Sequence, residues 1–177
     1  MDKVQIKDKS FRKHILFDAI HEKVLKVAGR INEDYKKKNP VFVVVLNGAF
    51  MFASDLLKKV NVDCEIAFVK VASYEGTKST GSVKSLIGLN HNINNREVVI
   101  IEDIVDTGET IVALLDQLNR QSPSQIKIAT LLFKPKAYTK DAPIDYVAME
   151  VGNEFLVGYG LDYDGFGRNL EDIYIVD

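Results

Sequence analysis

The stretch Val98-Val-Ile-Ile-Glu102-Asp103-Ile-Val-Asp106-Thr107-Gly108-Glu109-Thr110 decides the fold class. Its four apolar residues, 98 to 101, fit a strand buried on both faces, and Ile111, Leu114, Leu115 and Leu118 then recur at helical spacing. The residues between them form a loop from a strand to a helix N-terminus, where backbone N–H groups lack partners inside the helix and the macrodipole adds partial positive charge. A phosphate monoester fits such a place. Gly108 lets the backbone approach phosphate oxygens closely, and Thr107 and Thr110 offer hydroxyl donors. Thr107-Gly108-Glu109-Thr110 has no lysine where a Walker-type nucleotide triphosphatase needs Gly-Lys-Ser/Thr, which argues against ATP hydrolysis.

Glu102, Asp103 and Asp106 would repel a phosphate if they faced it, so they need other work at the same site. Carboxylates accept hydrogen bonds from a ribose diol, coordinate Mg2+, or take a proton from a ring nitrogen. The plainer alternative, that Asp103 or Asp106 caps the helix, accounts for one acid and not for three. Glu102 and Asp103 are adjacent, and neighbours on an extended strand point oppositely, so the chain must turn there for both to converge.

Outward from this segment the chain alternates strands and helices. Val41-Phe-Val-Val-Val-Leu46 is a second buried strand, followed by Asn47-Gly48-Ala49 and the helical spacing of Phe50 to Leu57. Upstream, Leu16, Ile20, Val24, Val27 and Ile31 predict an amphipathic helix over 12–37, ended by Asn39-Pro40, with Lys36, Lys37 and Lys38 as its solvated last turn. Residues 64–71 and 83–89 are strand-like and flank a polar, small-residue segment, a hairpin with a long tip over about 72–84. Further strands are predicted at 126–133, 145–150, 154–160 and 173–176. Strands alternating with helices indicate a mostly parallel α/β sheet, whose ligands lie beyond the carboxyl ends of the strands. The loops at 47, 102–110 and 134 all fall there.

With 177 residues, 46% of them apolar, one well-buried domain over 1–177 is expected. A formal net charge of −2 argues against a nucleic-acid or anionic-membrane binder. Cys64 is the only cysteine, so no intrachain disulfide is possible. The charged N-terminal segment lacks the apolar core of a signal peptide, no apolar run approaches membrane-spanning length, and a soluble cytoplasmic protein is expected. His14 and His21, expected seven apart on one helix, and His91 show no metal-ligand spacing.

The ordered set of hydrophobic strand, acidic pair, third acid and Thr-Gly-x-Thr resembles the phosphoribosyl-pyrophosphate motif of the purine phosphoribosyltransferases, and Glu102-Asp-Ile-Val-Asp-Thr-Gly-Glu-Thr110 looks like their hypoxanthine-guanine branch. The likeness extends over about residues 41–170. It implies a type I phosphoribosyltransferase fold: a twisted sheet flanked by helices, a small base-binding hood mainly from 145–177, and a mobile hairpin lid beginning at Ser73-Tyr74 that excludes water from the reacting centre. It also implies transfer of a phosphoribosyl group from phosphoribosyl pyrophosphate to hypoxanthine or guanine, with Mg2+ and a homodimeric or homotetrameric assembly. Residue by residue, Asn47-Gly48 stands where the family binds pyrophosphate, often with a strained peptide bond at a Lys-Gly or Arg-Gly pair; Asn47 replaces the basic residue and leaves the backbone role. Glu102 and Asp103 would bind the ribose hydroxyls and help place the metal, Thr107 to Thr110 the 5-phosphate, and Asp106 would accept the proton from purine N7. Lys134 would donate to the purine O6, Phe155 would stack on the base, and the Leu156 backbone would read its edge. In Leu161-Asp162-Tyr-Asp-Gly-Phe-Gly-Arg168, Asp162 would anchor a magnesium shell near the base and Arg168 would contact pyrophosphate. Two rivals stand beside this: a regulator of the same fold that binds RNA or an effector, and an acidic-pocket receiver or Mg2+ phosphohydrolase using Asp103 and Asp106.

Overall fold

Parallel pairing of β3 (Val41–Leu46) with β6 (Glu97–Val105) forms the centre of the molecule, with Val41 beside Val98 and Val44 beside Ile101. The computed structural model describes residues 2–72 and 84–177. Both strands are apolar at every central position because each face meets a helical layer. Phe42, Val44, Val99 and Ile101 share a core with Ile20, Val24, Val27 and Ile31 of α1 (Phe17–Asp34) and with Phe52 and Leu56 of α2 (Phe50–Leu57). Val41, Val43, Val98 and Ile100 pack with Ile111, Leu114 and Leu118 of α3 (Glu109–Asn119). Each fully buried Val, Leu or Ile is worth about 1.5–3 kcal/mol relative to exposure, so the double-sided burial holds these two strands at the centre of the sheet.

Four further strands complete the large sheet: β4 (Glu65–Ala72), β5 (Lys84–Ile87), β7 (Gln125–Phe133) and β8 (Tyr146–Glu150). The order is β5-β4-β3-β6-β7-β8; five strands run parallel and β5 pairs antiparallel with β4. The predicted mostly parallel sheet flanked by helices is therefore present. Because β3, β6 and β7 run the same way, the loops after Leu46, Val105 and Phe133 open on one edge.

A second, antiparallel sheet has the order β1-β2-β10-β9, from β1 (Lys3–Ile6), β2 (Lys9–Ile15), β9 (Leu156–Val157) and β10 (Ile173–Val176). It draws half its strands from the N-terminus, whereas β8, expected in the small unit, belongs to the large sheet. The predicted helix over 12–37 is also corrected. Residues 9–15 are strand, with Phe11 buried in its core, and α1 begins at Phe17, whose N–H donates to Asp172 Oδ1 at 2.8 Å. A carboxylate 155 positions away thus starts a helix that has no side-chain cap of its own. His14 consequently lies on β2 while His21 stacks on Phe17, so the two share no helix face. The helix ends at Asp34, and Lys36 to Lys38 form the turn beyond it, Lys37 with φ 63° and Lys38 paired to Glu97 at 2.9 Å. The predicted strand over 154–160 shrinks to Leu156–Val157, because Gly158 and Gly160 take φ of 102° and 99° and bend the chain. No described helix is long and apolar enough to cross a membrane.

Candidate active site

The loop after β6 joins a strand to a helix as expected, begins only after Val105, and lacks the side-chain cap that was the plainer explanation of its acids. The residue at the N-cap of α3 is Gly108, in the left-handed region with φ 88°, and no side chain makes a capping hydrogen bond there. Neither Asp103 nor Asp106 caps the helix. The amides opening α3 therefore have no side-chain cap, and residues 102–111 line a cleft of about 270 Å3 around them.

The acidic pair sits on the strand, which continues extended to Val105 instead of turning. Alternation keeps Asp103 on the face of Val99 and Ile101, where it reaches the loop after β3: a Cβ on Gly48 would overlap Asp103 Oδ2. Asp103 Oδ1 accepts the N–H of Ile104 at 2.8 Å. Glu102 is buried, and its Oε2 has no hydrogen-bond partner among the described residues. Burial, with the neighbouring Asp103 charge second, pushes the Glu102 carboxyl well above its ordinary range; burial likewise raises Asp103. A folded-state pKa above the unfolded one means that Glu102 favours the fold below its unfolded pKa and that this contribution is lost as pH rises through the folded value. Glu102→Gln is therefore expected to raise the melting temperature in metal-free buffer at pH 8, with a smaller gain at pH 5. Each ~1 kcal/mol recovered reads as roughly 2–4 °C at this chain length. A melting temperature unchanged at both pH values would show that the carboxyl carries no such penalty.

Lys134, the first residue after β7, is nearly buried, its side chain 10% exposed, and its Nζ donates to Asp106 Oδ2 at 3.0 Å. Its own N–H continues the ladder to the Val105 carbonyl at 2.9 Å, which fixes the lysine beside the loop that bears Asp106. Asp106 is 48% exposed at the mouth of the cleft. A carboxylate and an ammonium thus stand next to one another at the cleft.

Beyond β3, the peptide between Leu46 and Asn47 is cis, one residue before the pair that the resemblance had suggested. Gly48 is enclosed on two sides, by Asp103 and by Gly160, where an added Cβ would overlap the Gly48 carbonyl oxygen. Arg168 crosses to the same place, Nη1 donating to the Gly160 carbonyl at 2.7 Å and Nη2 pairing with Asp162 Oδ1 at 2.6 Å. Asp162 Oδ2 also accepts the Gly165 N–H at 2.6 Å. Among the described residues no three His, Cys, Asp or Glu side chains converge as a metal site, so Glu102, Asp103 and Asp162 do not form one cage. Asn47, Phe50, Phe166 and Arg168 line a cleft of about 420 Å3.

Phe155 is 45% exposed, edge-on to Tyr163 with centroids 5.8 Å apart, and Leu156 is buried in β9. Ser73 and Tyr74 lie outside the described residues. Three residues brought to this region by contacts across the fold were not foreseen from the sequence. Gly160, whose role is visible only as a contact with Gly48, was signalled by Gly158-Tyr-Gly160, a pattern ill suited to a strand. Tyr159 donates to Asp55 Oδ2 of α2 at 2.6 Å and ties that glycine segment to the β3 side. Lys140, paired with Glu109, gave no local signal at all.

A model of the phosphoribosyl transferase domain matches residues 16–164. The hypoxanthine-guanine phosphoribosyltransferase of Streptococcus thermophilus is 44% identical over 161 residues, covering 89% of each chain. The hypoxanthine-guanine-xanthine phosphoribosyltransferase of Tritrichomonas foetus is 41% identical over 90% of this chain and 87% of its own. The crystal structure of a hypoxanthine-guanine phosphoribosyltransferase from Bacillus anthracis, with a HEPES molecule in its active site, superposes with a TM-score of 0.87 at 36% identity, covering 93% of this chain and 96% of that one.

Proposed function

This chain belongs to the phosphoribosyl transferase family, and from that premise we propose that it is a purine-salvage enzyme that transfers the 5-phosphoribosyl group of phosphoribosyl pyrophosphate to N9 of hypoxanthine or guanine, forming IMP or GMP and pyrophosphate. The observation that carries the residue roles is the meeting of three strand-end loops: uncapped amides at Gly108 and α3, the Lys134–Asp106 pair, and Gly48 enclosed between Asp103 and Gly160.

The sugar's 5-phosphate lies against the amides and hydroxyls of Thr107 to Thr110, as an anion does at a helix N-terminus. Its pyrophosphate extends to the Asn47-Gly48 backbone and Arg168, whose guanidinium the Gly160 carbonyl and Asp162 hold in place. The purine enters against Phe155, with its O6 on the Lys134 ammonium. Lys134 then shares its donors between O6 and Asp106, whose carboxylate faces N7. Bond formation runs from N9 to the ribose C1 as the C1–O bond to pyrophosphate breaks, and the N7 proton passes to Asp106. Positive charge grows on the ribose ring in this step and is met by the acids of β6. Glu102 and Asp103 offer oxygen ligands, and Glu102 has a buried oxygen without a hydrogen-bond partner among the described residues; a hard cation completed by substrate oxygens would favour the ionised form that burial alone opposes. Mg2+ bound there would neutralise the leaving pyrophosphate.

Nucleotide formation should be assayed with Mg2+, phosphoribosyl pyrophosphate and hypoxanthine, guanine, xanthine or adenine in turn. IMP or GMP is the expected product. No nucleotide from any base, with the protein folded, would overturn the assignment.

A further inference from the structure

The phosphate loop contains no basic side chain from Glu102 to Thr110, and its helix opens with an acid, Glu109, directly beside the anion site. A carboxylate there opposes the dianion that the amides attract. The structure supplies a cation from elsewhere. Lys140, on the segment that follows β7, is ion-paired to Glu109 Oε1. Its stem crosses the glycine of the loop, since a Cβ on Gly108 would stand 2.8 Å from Lys140 Cγ and 2.5 Å from the Tyr138 ring. The adjoining Thr139 N–H donates to the Thr107 carbonyl at 3.4 Å, which fastens the two segments together. Lys140 is 26% exposed and Glu109 72%, so the lysine is packed against the protein while its acidic partner stands in solvent.

We propose that Lys140 is a phosphate-binding residue of this enzyme: Glu109 holds its ammonium over the amide cradle, and the 5-phosphate of the substrate takes that ammonium over. This rests on the phosphoribosyl-pyrophosphate assignment and adds to it a cation contributed across 31 positions of sequence. Glu109 is then a holder that the phosphate displaces, because two negative charges compete with one for the same ammonium. The absence of a Cβ at Gly108 has a second use here, as the groove through which the lysine stem passes.

The test separates the two ends of the substrate. Lys140→Ala is expected to raise the KM for phosphoribosyl pyrophosphate and the inhibition constant of ribose 5-phosphate by about 10-fold each, with kcat and the inhibition constant of inorganic pyrophosphate changing by less than about twofold. Lys140→Arg should recover most of the loss. Glu109→Gln should tighten ribose 5-phosphate, and the double variant should remain about 10-fold weaker than Glu109→Gln alone. An unchanged KM in Lys140→Ala overturns the proposal. So does a double variant that binds as well as Glu109→Gln, since Lys140 would then only neutralise Glu109. If the parent enzyme formed no nucleotide from any base, the activity assignment would fail by itself. Calorimetric binding of ribose 5-phosphate to parent and Lys140→Ala proteins would still decide the role of the lysine.

Discussion

Asp106→Asn is expected to lower kcat by about 10²- to 10⁴-fold, the usual loss when a positioned general base is removed, while the KM for phosphoribosyl pyrophosphate stays near that of the parent enzyme. The split follows from what the substitution keeps. Asparagine matches aspartate in size, and its Oδ1 can still accept the Lys134 ammonium that now reaches Asp106 at 3.0 Å, so the lysine stays where O6 needs it. What is lost is an acceptor for the N7 proton, and with it the charge that draws that proton away as N9 attacks. The side chain is 48% exposed, but its charge faces the nearly buried Lys134 ammonium, so the substitution should also cost about 1–2 kcal/mol of stability. Steady-state kinetics with hypoxanthine, together with calorimetric binding of phosphoribosyl pyrophosphate, measures both halves. Turnover equal to the parent's would remove Asp106 from the proton transfer. A large loss of phosphoribosyl-pyrophosphate binding would instead make it a ribose ligand.

The sheet and its loops were legible because each central strand is buried on both faces, and such burial leaves an unbroken apolar run in the sequence. Val41 to Val45 and Val98 to Ile101 could hardly be anything else once helical spacing resumed on the far side of a polar loop. The edge sheet was illegible for the opposite reason. β2 carries Arg12, Lys13 and His14 among its seven residues, and what makes it a strand is β10, whose Tyr174 pairs with Lys13 from the other end of the chain. A window of neighbouring residues contains no trace of that partner. Local spacing therefore extended α1 backwards until a distant carboxylate, Asp172, set its true start.

The site divides along the same line. Groups placed by their own loop, such as Thr107, Gly108 and Asp106, are readable from order alone, since that loop itself brings them to the cleft. Groups that act by contact across the fold are not. Nothing in residues 158–162 says that Gly160 must face Gly48, and nothing near Lys140 points to Glu109. The acidic pair lies between these cases: two adjacent carboxylates are plain in the sequence, but the extended course of β6 through both, which buries Glu102 and sends Asp103 to Gly48, is imposed by the strands beside it.

Contact across the fold also makes the second large effect asymmetric between glycines that look alike. Gly160 and Gly165 both hold positive φ, 99° and 87°, so alanine at either should cost about 1–2 kcal/mol in backbone conformation. At Gly165 a Cβ meets nothing within 4 Å. At Gly160 it would overlap the Gly48 carbonyl oxygen, a backbone atom that cannot turn aside as a side chain would. Either the loop after β3 or the glycine segment must move, and Arg168, whose Nη1 donates to the Gly160 carbonyl, moves with it. Both proposed contacts to the leaving pyrophosphate are thereby displaced together. Gly160→Ala should lower kcat/KM for phosphoribosyl pyrophosphate on the order of 10²-fold, the scale of an ångström-sized misplacement of a reacting group, and should weaken inhibition by inorganic pyrophosphate in parallel. Gly165→Ala, with a smaller fall in melting temperature set by backbone conformation alone, should keep pyrophosphate inhibition within about twofold of the parent. Equal kinetic losses in the two variants would mean that backbone strain alone governs this segment. The close approach of Gly160 to Gly48 would then have no part in holding the leaving group.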